Sequence, residues 1–497
     1  MKKFVILLVA MLVCATVVFA ACSKANFKPV SKPDQANAES NGGIAVKYGE
    51  WLYYVNGYTA DVSAENTYSN DVKDAPRIGS VVRIKLAEIE KILAINDDDD
   101  LTPSQKTDNI AAAIRGGTVN EVEYAGAETV IPKIYYSGNT TTTQFTGIHI
   151  FNDRIYVTTP SDKLTPNGDS LTDQLILMSF DLGGGDSREH FTFTSNSAQI
   201  WLTETDNKLI ATYFMSDTLH VLDVAQGKDT IVTNQYSNKT HLDNTVSSVN
   251  WDASGYVFFI DEFGSLCKLT VGQTEYEVIL DNNTSVNHGD HIERGSLSYT
   301  ITSANKGIVY YTENDTEQDT VSGGKVLCWA KTATEKGTAL ASSDAGAYGW
   351  EKDKVIVMKP KESTDGKKYY GLWLYTAETV ASNTPKMVLA PAFNENSITI
   401  DKIEGDILCY TADSVSYKIN LAEVEQANYD ATKQGTPYAY SLASTTGWAE
   451  PDFITYNGSQ YVISLSTDTV SLVKFNPEDK TNSKSIALTL TAEPEKE

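Results

Sequence analysis

The sequence predicts an all-β protein of the β-propeller class, and three observations lead to this prediction. Short strands rich in aromatic and β-branched residues recur along the chain, each after a turn pair or a small polar cluster. Most of them recur at a spacing of about 50 residues, close to the roughly 40 to 50 residues of a four-stranded propeller blade. Helical periodicity is nearly absent outside LAEIEKIL and NLAEVEQANYDATKQ, which we expect to decorate loops between strands.

The first element along the chain is an export signal. Lys2 and Lys3 precede an apolar run from Phe4 to Phe19, shorter than the roughly 20 residues that a membrane-spanning helix needs. A basic start followed by a short apolar run is typical of a secretory signal peptide. We therefore expect residues 1–21 to be removed from the mature protein.

The signal ends at Phe19-Ala20-Ala21-Cys22, which resembles the lipobox of bacterial lipoproteins. In that family the cysteine becomes the mature N-terminus and receives a diacylglyceryl group, since a thiolate is a good nucleophile toward an alkyl donor. The resemblance implies an extracytoplasmic protein anchored to the membrane by a lipid on Cys22, with palmitate among the acyl chains. A plain secretory signal cut near Ala21 is the alternative.

The signal is followed by a segment without the composition of a core. Residues 22–43 are polar, contain two prolines and end in paired glycines, so we expect a flexible tether. The propeller is predicted over residues 44–490, and residues 491–497 are predicted to be a disordered tail. We expect SIALTLTA (Ser485–Ala492) to pair with GIAVKYG (Gly43–Gly49) and close the ring, because closure removes exposed edges.

The propeller region contains eight copies of the strand pattern. Their inner strands are predicted near Leu52, Ile155, Leu209, Tyr256, Ile308, Val355, Ile407 and Tyr461. The first interval is the longest and contains residues 96–143, which are either an insertion or a degenerate blade. The pattern therefore favours eight blades, with seven as the alternative.

Composition limits the partners. The chain has 497 residues, with 65 acidic and 40 basic side chains and a formal net charge of −25. Nucleic-acid binding needs clustered Lys and Arg to neutralise phosphates, so no nucleic-acid partner is expected. After Cys14 and Cys22, only Cys267, Cys328 and Cys409 are present, too few for a disulfide framework. Each lies in an apolar strand-like run, which predicts buried thiols.

Two stretches resemble known propeller families. Repeats such as WLYYVNG (Trp51–Gly57) resemble those of bacterial cell-surface lipoproteins, which are similar to low-density-lipoprotein-receptor-type propellers and mostly lack an assigned function. HVLDVAQGK (His220–Lys228) is similar to one repeat of quinoprotein-type propellers, which include the lipoprotein subunit of the outer-membrane assembly machinery. The second resemblance implies a scaffold role in an envelope assembly complex.

Two polar clusters are candidate metal sites. His288, Asp290, His291 and Glu293 crowd into NHGDHIE, and imidazole with carboxylate suits Zn²⁺. The run NDDDD (Asn96–Asp100) offers oxygen ligands for Ca²⁺. Both clusters also suit solvated loops, because the first lacks His-Glu-x-x-His spacing and the second lacks alternating acids with a glycine. No other cofactor is expected.

Four tryptophans are candidate ligand-binding residues. They precede inner hairpins at loosely similar places in the pattern: Trp201, Trp251, Trp350 and Trp448. Rings gathered near one mouth of a propeller could stack on sugars or grip a peptide. Packing between blades is the alternative.

Catalytic signatures are missing from the sequence. It contains no Ser-x-Asp-x-Gly-x-x-Trp aspartate box, no Gly-x-Ser-x-Gly elbow after the propeller and no phosphate-binding loop. We therefore assign no catalytic residue and expect a non-enzymatic propeller that binds a protein or glycan at the cell surface. An extracytoplasmic enzyme acting on polysaccharide or peptidoglycan, and a scaffold subunit of an envelope assembly complex, are the alternatives.

Overall fold

The structure is a computed structural model, and it describes the following residues: 38–57, 79–134, 147–161, 174–233, 244–252, 255–285, 292–294, 297–305, 308–315, 326–330, 338–342, 346–351, 354–364, 366–376, 379, 384–394, 397–404, 406–413, 415–437, 454–465, 469–475 and 484–491. The chain divides into two compact units, which are described separately. Unit 1 comprises Met1–Met215, Leu222–Lys228 and Ser444–Glu497. Unit 2 comprises Ser216–Val221 and Asp229–Ala443.

The described residues are mostly strands. The first half of the strands are β1 (Ala45–Tyr48), β2 (Trp51–Val55), β3 (Val81–Lys85), β4 (Gly117–Val119), β5 (Val122–Tyr124), β6 (Glu128–Ile131), β7 (His149–Phe151), β8 (Arg154–Pro160), β9 (Leu175–Asp181), β10 (Arg188–Phe193), β11 (Gln199–Thr205), β12 (Lys208–Met215), β13 (Thr218–Asp223), β14 (Lys228–Ile231), β15 (Val246–Asp252), β16 (Tyr256–Asp261), β17 (Leu266–Thr270) and β18 (Glu277–Leu280). The second half are β19 (Asn283–Ser285), β20 (Ile292–Arg294), β21 (Leu297–Asn305), β22 (Ile308–Asp315), β23 (Val326–Ala330), β24 (Thr338–Ser342), β25 (Gly346–Glu351), β26 (Lys354–Glu362), β27 (Lys368–Thr376), β28 (Lys386–Phe393), β29 (Ile398–Glu404), β30 (Ile407–Ala412), β31 (Val415–Asn420), β32 (Thr436–Pro437), β33 (Ile454–Tyr456), β34 (Ser459–Leu465), β35 (Val470–Phe475) and β36 (Lys484–Ala487). The helices are α1 (Leu86–Leu93), α2 (Pro103–Arg115) and α3 (Leu421–Val424), with a 3₁₀ turn at Ala94–Asp97.

These strands form eight four-stranded sheets whose members follow one another along the chain. Sheet 1 contains β1, β2, β3 and β6; sheets 2 to 4 contain β7–β10, β11–β14 and β15–β18; sheets 5 to 8 contain β21–β24, β25–β28, β29–β32 and β33–β36. The separate pairs β4–β5 and β19–β20 are hairpins. A meander of four antiparallel strands is the unit from which β-propellers are built.

The sequence pattern marks one particular strand of each sheet. The eight predicted inner positions lie in the second strands: β2, β8, β12, β16, β22, β26, β30 and β34. Strand β2 is apolar because it is covered on both sides and on both faces, and Leu52, Tyr53, Tyr54 and Val55 are all fully buried. The prediction of a mostly β chain with a repeated strand unit is confirmed.

Unit 1 contains two apolar cores. The larger core combines sheets 1 and 8 with both insertion helices, through residues such as Val46, Ile89, Ile114 and Leu472. Burial of one such side chain contributes about 1.5–3 kcal/mol. The smaller core joins sheet 2 to strands β11 and β12, where the rings of Phe193 and Tyr213 meet edge to face at 5.0 Å.

Unit 2 also contains two apolar cores. One lies between sheets 4 and 5 and includes Phe258 and Tyr311. The other lies between sheets 6 and 7 and includes Leu372 and Leu408. Within unit 2, apolar side chains therefore hold sheet 4 to sheet 5 and sheet 6 to sheet 7.

The described part of the 96–143 stretch is an insertion that ends by completing sheet 1. The chain leaves the sheet after β3, forms α1, α2 and the β4–β5 hairpin, and returns as β6 beside β3. Helix α2 begins with a capping box between Thr102 and Gln105 and has Pro103 in its first turn. Gly116 ends it with a φ of 81°, a conformation that favours glycine.

This insertion fastens sheet 1 to the last sheet of the chain. The Glu90 carboxylate on α1 lies 2.6 Å from the Lys474 ammonium on β35. Asp97 pairs with Lys484 at 2.6 Å, and the Asn96 amide donates to the Ser485 carbonyl over 3.1 Å. We call the three pairs the helical clasp.

The chain termini meet by a different route from the one predicted. The last strand, β36, pairs with β35, and β1 pairs with β2, so SIALTLTA and GIAVKYG do not pair as strands. Instead the Tyr54 hydroxyl donates to the Leu488 carbonyl over 2.8 Å, and Asn56 bonds the backbone of Leu490. We call Tyr54, Asn56, Leu488 and Leu490 the terminal seam.

The folded domain also begins earlier than Ile44. Glu39 and Lys47 exchange two backbone hydrogen bonds of 3.0 and 3.1 Å. The Asn41 side chain donates to the Ile150 carbonyl over 3.0 Å and accepts from its N–H over 2.7 Å. The last residues of the predicted tether are therefore fixed against sheets 1 and 2, and residues 1–37 lie outside the described part of the chain. Among the described residues, no helix is both long and apolar enough to cross a bilayer.

Candidate functional site

Of the four residues in NHGDHIE that are predicted to bind metal, the structure describes only one. His288, Asp290 and His291 lie outside the described residues. Glu293 lies in β20, opposite Thr284. Across the described ranges, no three His, Cys, Asp or Glu side chains come together in a way that could hold a metal ion.

The acidic run NDDDD has other roles. Asp97 and Asn96 belong to the helical clasp, and a carboxylate oxygen of Asp98 accepts the backbone N–H of Asp100 over 3.0 Å. The Lys106 ammonium donates to the Asn96 carbonyl over 2.7 Å. This run therefore joins a turn to the last sheet, and the four aspartates do not converge on one point.

Two of the predicted tryptophans occupy equivalent positions in their sheets. Trp251 on β15 lies opposite Val257, and Trp350 on β25 lies opposite Val355, each one pair from the first hairpin turn. Trp201 lies opposite Thr212, farther from its turn. Trp201 and Trp251 are half-buried, and Trp448 lies outside the described residues.

In unit 1, aromatic residues lie next to the first hairpin turn of three sheets. Tyr48, Phe151 and Tyr456 end the first strands of sheets 1, 2 and 8, each immediately before a two-residue turn. Trp51 begins the second strand of sheet 1, directly opposite Tyr48. We call these four residues the aromatic rim.

Turn chemistry fixes the backbone of this rim. Asn152 and Asp153 have φ values of 47° and 58°, and Asn457 and Gly458 have 47° and 75°. Positive φ at both central residues defines the type I′ turn, whose twist matches that of the flanking strands. The turns therefore place the preceding aromatic residue at the same register position in each sheet.

Hydrogen bonds tie the three turns of the rim together. The Tyr48 hydroxyl donates to a carboxylate oxygen of Asp153 over 2.6 Å. On the other side, the Lys47 ammonium binds the Glu39 carboxylate and donates to the Thr455 carbonyl over 2.7 Å. Burial, together with the hydrogen bond and charge of Asp153, raises the pKa of Tyr48 to about 12, so its hydroxyl stays protonated.

Two cationic side chains lie against the indole ring of Trp51. The Arg83 guanidinium lies 4.5 Å from the centroid of the Trp51 ring, and the Lys85 ammonium lies 5.2 Å from it. Arg83 is itself buried, where it pairs with Glu128 at 2.8 Å and donates to the Leu182 carbonyl over 2.9 Å. Phe151, Trp51 and Tyr456 are half-buried and pack against the apolar cores, so only the exposed part of each ring could stack on a ligand.

Groups that could perform chemistry also lie close together elsewhere. On sheet 2 the Ser179 hydroxyl lies 2.8 Å from Nε2 of His190 and accepts from the Arg154 guanidinium over 3.0 Å. Burial, with the charges of Arg154 and Arg188, lowers the pKa of His190 and favours the neutral ring. Because Ser179 is completely buried, this pair links β8, β9 and β10 and gives a substrate no access to the hydroxyl.

A chain of three hydrogen-bonded side chains, which we call a relay, lies on β13 and β14 in unit 2. The Thr218 hydroxyl lies 2.8 Å from Nε2 of His220, and Nδ1 of His220 lies 3.0 Å from the Asp229 carboxylate. The order hydroxyl, imidazole, carboxylate is that of a hydrolase triad. His220 was singled out in the sequence only as part of a repeat.

Sheet 4 contains a buried carboxyl and a buried thiol. Asp261 accepts the N–H groups of Phe263 and Ser265 over 3.0 and 2.8 Å and thereby closes the turn between β16 and β17. Burial raises the pKa of Asp261, and burial beside Asp261 raises the pKa of Cys267. Cys267 and Cys409 are buried thiols, as predicted, and Cys328 lies in β23.

Comparisons with known proteins leave the family open. No family model matches the sequence, and no curated protein matches it. Among solved structures, the chain is similar to a prolyl endopeptidase at 12% identity, with a TM-score of 0.33; the similarity covers 70% of this chain and 50% of that enzyme. The chain therefore spans about half the length of that enzyme.

Two further structures have similar low scores. The β-propeller domain of the Trilobed protease from Pyrococcus furiosus is 10% identical, with a TM-score of 0.30, over 69% of this chain and 97% of that domain. TolB from Acinetobacter baumannii is 11% identical, with a TM-score of 0.22, over 54% of this chain and 63% of TolB. Similarities of this size carry no argument about activity.

Proposed function

We propose that this protein is a lipid-anchored, extracytoplasmic β-propeller that binds a glycan or an envelope protein through the aromatic rim and catalyses no reaction. The observation that carries the proposal is the repeated placement of an aromatic residue before the first turn of sheets 8, 1 and 2. Side chains repeated at one register position form a surface that can stack on successive sugars or side chains.

The sheet order supports a closed ring. Eight four-stranded sheets favour eight blades over seven, and the terminal seam supports contact between the first and last blades.

The rim is tested by substitution. The purified protein is screened against cell-wall glycans and envelope proteins, and each ligand found is titrated against Phe151→Ala and Tyr456→Ala. We expect each variant to bind several-fold more weakly, because an aromatic contact contributes about 0.5–1.5 kcal/mol beyond its area burial. Tyr417→Ala, which removes a half-buried tyrosine from the third strand of sheet 7, away from any first hairpin turn, is the matched control.

Two results would count against the rim. Equal losses in Tyr417→Ala and the rim variants would mean that aromatic substitution acts through the fold. Unchanged binding in both rim variants would place the ligand elsewhere, and Trp201→Ala and Trp251→Ala would then be the next variants to titrate.

Membrane anchoring is tested separately. Replacing Cys22 by Ala should release the protein from the membrane fraction and abolish its labelling by a fatty acid, because no thiol would remain at the lipobox position. Persistent membrane association together with fatty-acid labelling of the variant would refute the anchor. This outcome would leave the ligand-binding proposal intact.

The Thr218–His220–Asp229 relay favours one second candidate, an extracytoplasmic hydrolase acting on polysaccharide or peptidoglycan. Turnover of such a substrate by the wild-type protein, lost in Thr218→Ala and in His220→Ala, would move this function to first place. Labelling of Thr218 by a covalent serine-hydrolase probe would support the same function without a known substrate.

A further inference from the structure

We propose that the end of the β26–β27 hairpin is a separate binding site for an anionic polysaccharide. The two strands pair continuously from Lys354 opposite Thr376 to Glu362 opposite Lys368. Strand β25 stops pairing with β26 at Met358, and β28 pairs with β27 no farther out than Tyr370. Residues 361–369 therefore project past both neighbouring strands of sheet 6.

The charge of this projection is opposite to that of the protein. The segment KPKESTDGKK (Lys359–Lys368) contains four lysines and two acidic residues, whereas the whole chain has a net charge of −25. Lys361, Lys367 and Lys368 are exposed. A local positive site on an acidic protein directs anionic partners to itself, because the remaining surface repels them. We call Lys359, Lys361, Lys367, Lys368 and Tyr369 the basic tip.

One face of the hairpin combines ammonium groups with aromatic rings. Lys361 and Tyr369 are directly opposite each other, which brings their Cβ atoms within about 4.5–5.5 Å. Lys359 lies on the same face, roughly 7 Å farther along the strand. Its ammonium is held over the buried ring of Tyr375, 4.5 Å from the centroid, and hydrogen-bonds the Tyr375 hydroxyl. Lys359 therefore anchors the base of the projection, and the exposed lysines lie farther out.

These groups suit a charged sugar polymer better than a bilayer or a folded protein. The half-exposed ring of Tyr369 offers a flat face for a sugar, and the adjacent ammonium groups offer partners for its carboxylate or phosphate. Within residues 359–364 and 366–370 there is no Leu, Ile, Phe or Trp to enter a membrane. The tip also consists of five residues, whereas each partner in a stable protein interface contributes about 20–30.

A polymer with many identical sugar units can bind many copies of this small site at once, which strengthens its overall binding to a cell surface. Each contact with one or two sugars is weak, but many copies of the protein on a cell surface can hold one chain at many points. The site would act independently of the aromatic rim, which lies in unit 1, whereas the basic tip lies in unit 2.

The test uses the full-length protein and three polymers of matched length. Polygalacturonate supplies carboxylates, poly(glycerol phosphate) supplies phosphates, and dextran is uncharged. We expect binding to at least one of the anionic polymers and none to dextran. We expect this binding to weaken steeply as salt is raised from about 0.05 to 0.5 M, because salt screens exposed charges.

A charge-matched pair of variants locates the site. The variant K359Q/K361Q/K367Q/K368Q should bind at least about tenfold more weakly, a change of about 1.4 kcal/mol. The control K208Q/K228Q/K386Q/K433Q removes the same charge from exposed positions elsewhere and should bind like the wild type. Tyr369→Ala should weaken binding without changing its salt dependence. Thermal melting of each variant confirms that it is folded.

Several outcomes would overturn the proposal. They are equal losses in the two quadruple variants, binding to dextran as strong as to the anionic polymers, and no binding to either anionic polymer. Capture by phosphatidylglycerol vesicles that depends on the basic tip, without capture by the polymers, would assign the site to a membrane instead. Loss of polymer binding in Phe151→Ala but not in the basic-tip variant would assign it to the aromatic rim.

Discussion

The side-chain amide of Asn56 forms two hydrogen bonds with the backbone of Leu490. Its Nδ2 donates to the Leu490 carbonyl over 2.9 Å, and its Oδ1 accepts the Leu490 N–H over 2.9 Å. Asn56 is completely buried, and Leu490 is nearly so. One side chain thus supplies the pair of bonds that a neighbouring strand would otherwise supply, and it joins the first sheet to the end of the chain.

We expect Asn56→Ala to lower the free energy of unfolding by about 2–3 kcal/mol, because it leaves a buried N–H and a buried carbonyl without partners. Urea denaturation measures the change. The control is Asn250→Ala, which removes a half-buried amide that donates to the nearby Ser248 carbonyl over 3.0 Å, and it should stay within about 0.5 kcal/mol of the wild type. Similar losses in both variants would contradict a special role for the terminal seam.

Shortening the chain at its C-terminal end tests the terminal seam by removing Leu488 and Leu490. Ending the chain after Ala487 removes Leu488 and Leu490, both buried, and should lower the free energy of unfolding by at least about 3 kcal/mol. Ending it after Thr491 removes only residues 492–497 and should leave the urea midpoint unchanged. If both truncations melt like the full chain, the end of the chain is a tail and the seam contributes nothing.

We expect the protonation of Asp261 to contribute to the pH dependence of the free energy of unfolding. Burial raises its pKa in the folded state, so folding favours the protonated form. The stability linked to this group is therefore fully present below the ordinary Asp pKa of about 3.9 and is lost as the pH rises through the raised value. Relative to Asp261→Asn, which keeps the Oδ1 acceptor, the wild type should become less stable as the pH increases over this range.

Asp186 provides a control of opposite sign. Its hydrogen bond with Arg188 and its contacts with Arg154 lower its pKa. Its contribution should therefore be present above the ordinary Asp pKa and disappear as the pH falls through the lowered value. Urea midpoints for the wild type, Asp261→Asn and Asp186→Asn from about pH 3 to about pH 7 make the comparison. Parallel curves for all three proteins would refute both assignments.

The thiol of Cys267 should be inert in the folded protein. It is completely buried, and its burial beside Asp261 raises its pKa, so little thiolate forms and reagents cannot reach it. Iodoacetamide treatment followed by peptide mapping should leave Cys267 unmodified at neutral pH and modify it fully in urea. Rapid modification of Cys267 under native conditions would show that sheet 4 opens readily.

The sequence by itself determined the repeat and the class of the protein. Where the second strand of a sheet is buried on both faces, as in YVFFID of β16, its apolar run is long enough to be recognised without any knowledge of neighbours. The two short helical pieces were recognised for a related reason, since burial of Leu86, Ile89, Ile92 and Leu93 imposes a helical spacing on α1.

Only the tertiary structure decided how the ends meet and where the rim lies. Ser485–Ala492 has the alternation of a strand that could pair with β1, and nothing local distinguishes that partner from β35. The bond between Asn56 and Leu490 joins residues hundreds of positions apart in the chain, so one segment's composition does not predict it. The rim residues were missed because the aromatic residues that begin YGEW, FNDR and YNGS look like ordinary ends of strands. Their common position follows from register, and register is a relation between strands that one strand's composition does not encode.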